Sequence, residues 1–91
     1  MEIRKPLNVV TMEKTRMSIT TIYPNLLSAM NKQGMGVNDL ANVLGISDQA
    51  MRRRLLGKAN GGSDFNVYEC HVLCEYFESS FEWLFATGDN A

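Results

Sequence analysis

The tetrapeptide Leu44-Gly45-Ile46-Ser47 constrains this chain more than any other stretch. A glycine takes, without steric cost, the left-handed conformation that stops a helix. Ile46 then drops an apolar side chain beside the turn. Ser47 offers a hydroxyl to the free amides of a new helix, a cap worth about 1 kcal/mol over Ala. The four residues predict one helix over Val37–Leu44, a turn at Gly45 and Ile46, and a second helix from Asp48 to about Leu56. On the first, Leu40, Ala41 and Leu44 fall on the inward side, with Asn38, Asp39 and Asn42 toward water.

Two short helices joined by such a turn make a helix-turn-helix unit. At about 100° per residue, Met51 and Leu55 of the second helix fall on one side and Gln49 and Arg53 on the other. Asp48 stands at the helix start. Gln and Arg at i and i+4 on a solvent face suit base edges in a major groove, because each pairs with a purine in bidentate fashion. Three consecutive arginines cannot share a face. Arg52 and Arg54 lie to either flank and are expected on phosphates, which position a protein without specifying sequence. Lys58, just beyond, joins them, with Lys32 as a further candidate.

Charge is split along the chain. Net charge is −1. Residues 1–60 hold nine basic and four acidic groups, a balance of +5, whereas residues 61–91 hold six acidic groups and no Lys or Arg. Such asymmetry points to a polyanion on one side.

The rest of the chain organises around this unit. Pro24 belongs in a first helical turn, so a helix is expected from Thr21–Pro24 onward, with Leu26, Leu27 and Met30 inward and Gly34 closing it. Gly36 stands where a stronger cap is usual. Lys58 to Asp64 reads as a loop. Asn66 and Glu69 form a capping-box pattern for a helix from Val67 to about Glu78, with the stripe Val67, Cys70, Leu73, Cys74 and Phe77. Ser79 or Ser80 caps a short last helix, Phe81–Ala86, before Gly88. Residues 1–21 are expected as a weakly ordered arm. β-branched residues around Glu13-Lys14-Thr15-Arg16 leave a hairpin open, but no Asn-Gly or Asp-Gly marks its turn. Arg4, Lys5, Lys14 and Arg16 would follow a phosphate backbone if the arm is functional; an inert extension is the favoured reading. The resulting division is an arm (1–21), a helical domain (22–87) and a tail (88–91).

The chain resembles the phage-repressor class of helix-turn-helix domains, the Cro and Xre type, over roughly residues 22–87. The matching residues are Asp39-Leu40-Ala41, Leu44-Gly45-Ile46-Ser47, Met51, Leu55, Gly57-Lys58, Asn66-Val67 and Ser80-Phe81-Glu82-Trp83-Leu84-Phe85. The last block looks like small phage regulators of Gram-positive hosts. The resemblance implies an all-α, compact five-helix bundle of the lambda-repressor-like type, with a flexible N-terminal arm, that binds operator DNA as a dimer. Base reading then falls on the first, second and sixth residues of the recognition helix, here Asp48, Gln49 and Arg53. Two departures stand out. Many members carry a phosphate-clamping Gln at the start of the second helix, where this chain has Val37, so Asn38 or Asn42 is left to make that contact. The loop after Lys58 is also stretched by Gly61-Gly62-Ser63.

Other chemistries find little support. Cys70 and Cys74 share a helical face, but a zinc site needs four ligands and His71 is the only other Cys or His. No catalytic residues, cofactor, metal or small-molecule ligand are expected, and no phosphate-binding Gly-rich loop is present. No run suits a membrane span and no signal peptide is visible, so the expected location is cytoplasmic. Phe81 and Leu84 are expected to face the core. Trp83 and Phe85 are expected at the sides of the last helix, as a dimer interface. The function expected is sequence-specific double-stranded DNA binding by a dimeric phage or mobile-element regulator, a repressor. The alternative is a protein-interaction module, inhibitor or antitoxin-like, on the same scaffold.

Overall fold

The computed structural model describes residues 10–14 and 17–87. Two strands, β1 (Val10–Lys14) and β2 (Met17–Thr21), precede five α-helices: α1 (Pro24–Lys32), α2 (Val37–Leu44), α3 (Asp48–Leu56), α4 (Val67–Phe77) and α5 (Phe81–Leu84). A single 3-10 turn, Lys58–Asn60, lies between α3 and α4.

The helix boundaries follow the local chemistry. Pro24 occupies the first turn of α1. Asp39 Oδ2 accepts from the Gly36 amide at 2.9 Å, which compensates for the weak cap of α2. Gly45 ends α2 in the left-handed conformation, φ 72°. The Ile46 amide reaches back to the Ala41 carbonyl at 3.0 Å, closing the helix end. Ser47 Oγ then accepts from the Ala50 amide at 3.0 Å and starts α3. At α4, Asn66 Oδ1 accepts from the Glu69 amide (2.7 Å) and Glu69 Oε1 from the Asn66 amide (3.1 Å), a complete capping box.

The core joins all the helices. Leu26, Met30, Leu40, Met51, Leu73 and Leu84 are fully buried, with Val37, Ala41 and Leu55 all but so. Each large side chain so buried contributes about 1.5–3 kcal/mol. α3 packs on α2 through Met51 and Leu55, which commits one side of α3 to the interior and leaves the other open.

The expected arm is revised where it is described. β1 and β2 pair antiparallel, with Met12 opposite Ile19 and Val10 opposite Thr21, so the described residues are mainly helical rather than all-α. The ribbon is tied to α3. Leu55 O, at the last turn of that helix, accepts from the Ile22 amide (3.0 Å) and from Thr21 Oγ1 (2.9 Å). Ile19 and Thr21 are buried. Long-range bonds to an otherwise unpaired helix-end carbonyl thus hold a hairpin whose turn sequence is poor. Residues 1–9, including Arg4 and Lys5, Arg16 and the tail 88–91 lie outside the described residues.

Candidate nucleic-acid interface

Asp48, Gln49, Arg52 and Arg53 are exposed on α3, with Gln49 and Arg53 opposite the buried Met51 and Leu55. Lys58 is exposed just beyond the end of the helix, and Asn38 in the first turn of α2. A single helix thus carries a carboxamide in its first turn and two guanidinium groups further along, all outward. The carboxylate of Asp48 sits at the N-terminus, where the helix dipole favours a negative charge. Ile19, Thr20, Val37, Arg52, Leu55 and Leu56 surround an open hollow of about 330 Å³ where the ribbon meets α3.

Arg54 departs from expectation. Its Nε donates to Glu69 Oε1 at 2.7 Å, and Nη1 to the Ala50 carbonyl at 3.4 Å. Glu69, expected in the capping box, is also buried. The same carboxylate oxygen completes the cap of α4, so one side chain ties α3 to the start of α4. This pairing competes with the phosphate contact expected of Arg54.

Val37 is also explained. It is buried in the core, so an apolar contact stands where the resemblance implies a phosphate clamp, and Asn38, Asp39 and Asn42 are exposed polar groups nearby. The long loop after α3 folds back rather than projecting. The Gly62 amide donates to Gly57 O (2.9 Å) and the Ser63 amide to Arg53 O (2.9 Å). Gly62 packs so close to the Arg53 carbonyl that a Cβ would overlap it. Gly57, at φ 82°, faces Ile22, whose Cδ1 would lie 2.6 Å from a Cβ.

The C-terminal aromatics are placed differently from expectation. Leu84 is buried, but Phe81 is 57 % exposed. Phe85 turns inward against Tyr23, Phe65 and Phe81, with ring centroids 5.5, 5.3 and 5.3 Å away. Side chains at 81 and 85 share a face, and the α1 start and the loop before α4 supply rings that Phe85 can reach. Trp83 is 45 % exposed, on the other side of α5, where its carbonyl accepts from Asn25 Nδ2 at 2.8 Å. Of the two residues expected at a dimer contact, Trp83 is the accessible one.

Val67, expected on the inward stripe of α4, is 74 % exposed. Cys70 and Cys74 are half-buried free thiols. Burial raises the Cys70 thiol above the ordinary range, helped by Cys74 and Glu69, and burial raises Cys74. Both shifts favour the protonated thiol, the less nucleophilic form. Among the described residues, no three His, Cys, Asp or Glu side chains converge on a metal position, and no helix is long and apolar enough to cross a membrane.

No family model, curated protein or solved structure matches the chain.

Proposed function

We propose that this protein is a sequence-specific double-stranded DNA-binding regulator, a repressor of the phage type, that acts as a dimer with α3 in the major groove. The observation that carries the reading is the α3 surface. A serine-capped helix after a glycine turn has its apolar side locked into the core and presents Asp48, Gln49, Arg52 and Arg53 outward. Gln49 and Arg53 read bases. Asp48 accepts from a cytosine amino group or favours the helix N-terminus. Arg52, Lys58 and Asn38 hold phosphates. Trp83 provides the dimer contact, which paired half-sites require.

The test is binding to random duplex DNA across a salt series, followed by selection of bound sequences from a random pool. Binding at about 50 mM salt, falling steeply as salt rises, is the expected result. A protein that ignores DNA at that salt refutes the reading. In that event the protein-interaction module gains, supported by the apolar surface beside α4 and α5.

A further inference from the structure

Phe65, Val67, Cys70, His71, Cys74 and Phe81 line an open, almost wholly apolar groove of about 320 Å³ between α4 and the start of α5. None of them belongs to the α3 surface. Val67 and Phe81, at its edges, are among the most exposed large apolar side chains described. Such a groove offers apolar surface that a partner could cover.

The charge around the groove selects its occupant. Asp64 precedes Phe65, Glu75 follows Cys74, Glu78 lies one turn past Cys74, and Glu82 follows Phe81; all four are exposed. No Lys or Arg occurs anywhere in residues 61–91. The nearby Arg54 is already paired with Glu69. An apolar cleft set among carboxylates repels nucleic acid and anionic bilayers. A second copy related by two-fold symmetry would set the same carboxylates against each other, since such an interface pairs one patch with itself.

We infer that this groove docks a basic amphipathic helix of another protein. Its apolar side lies against Val67, Cys70, Cys74 and Phe81, and its Lys or Arg residues meet Glu75, Glu78 and Glu82. This is the helix-in-groove mode, with apolar anchors giving affinity and flanking charge giving selectivity. The surface is separate from the DNA-reading helix, so the inference does not rest on DNA binding.

The experiment uses the full chain and a labelled Leu/Lys amphipathic helical peptide, followed by fluorescence anisotropy. The controls are a Leu/Glu peptide of the same pattern and a scrambled Leu/Lys peptide. Saturable binding of the first, with both controls weaker by roughly tenfold or more, is expected. Val67→Asp and the pair Glu75→Lys/Glu82→Lys should each weaken binding by roughly tenfold. These side chains are exposed, and Asp suits the first turn of a helix, so the circular dichroism spectrum and thermal melt of Val67→Asp should match wild type. Equal binding of the Leu/Glu or scrambled peptide overturns the inference, as does indifference to Val67→Asp. A concentration-dependent self-association that Val67→Asp abolishes also overturns it, by assigning the groove to a second copy.

Discussion

Removing the Glu69 carboxylate tests how α3 is held. Its oxygen lies 2.7 Å from Arg54 Nε and accepts the Asn66 amide at 3.1 Å. The Arg54 and Glu69 side chains are only 22 % and 7 % accessible. A hydrogen bond to a charged group contributes about 1.5–3 kcal/mol. The reciprocal half of the capping box adds roughly 0.5–1 kcal/mol. A fully buried pair broken on one side costs about 3–5 kcal/mol, but Arg54 is accessible enough to swing its guanidinium into water, which lowers that figure. Glu69→Ala should therefore destabilise by about 2–3 kcal/mol. At about 4–8 °C per kcal/mol for a domain of this size, Tm falls by roughly 10–20 °C. Glu69→Gln keeps a carbonyl oxygen for the Asn66 amide and loses only the charge, so about half the loss is expected. Urea denaturation of Arg54→Met, Glu69→Ala and the double variant closes a cycle whose coupling should be at least about 1 kcal/mol. A loss below about 0.5 kcal/mol for Glu69→Ala, or a coupling near zero, refutes the reasoning. Arg54→Met should also leave the salt dependence of DNA binding unchanged.

Arg53→Ala should relax sequence preference at one base position, at a cost of about 1–3 kcal/mol, read from selected-sequence profiles. Arg52→Ala should weaken binding to all duplexes alike and reduce the salt slope by about one contact, measured by titration at several salt concentrations. Gly62→Ala should destabilise by about 2 kcal/mol or more in chemical denaturation, because the added Cβ meets the fixed Arg53 carbonyl rather than a movable side chain. The raised thiols set a pH dependence. Unfolded Cys loses its proton near pH 8.5, earlier than folded Cys70 and Cys74. Stability is therefore fully present below that pH and falls as pH rises toward the folded values. Cys70→Ser/Cys74→Ser should flatten the decline in denaturation curves taken from pH 8 upward.

The local chemistry of the chain was legible in its sequence. Gly45 and Ser47 mark the turn before α3, and Asn66 with Glu69 marks the start of α4, because a cap is a bond between residues three apart. The outward face of α3 was equally readable. Helical periodicity separates Met51 and Leu55 from Gln49 and Arg53 whatever surrounds them. Tertiary structure decided what sequence spacing does not encode. Arg54 is drawn to Glu69 across 15 positions, Thr21 to Leu55 across 34, and Asn25 to Trp83 across 58. Those contacts pair an expected DNA arginine with a carboxylate, tie the hairpin to α3 and link α1 to α5. Phe81 and Phe85 share a helical face, so only the rings of Tyr23 and Phe65 decide which of them is covered. The same packing leaves Val67 and Phe81 outside and so creates the groove beside α4. The cause is general: backbone caps and turns are satisfied within a few residues, whereas a side chain with two apolar choices follows the neighbours that the fold supplies.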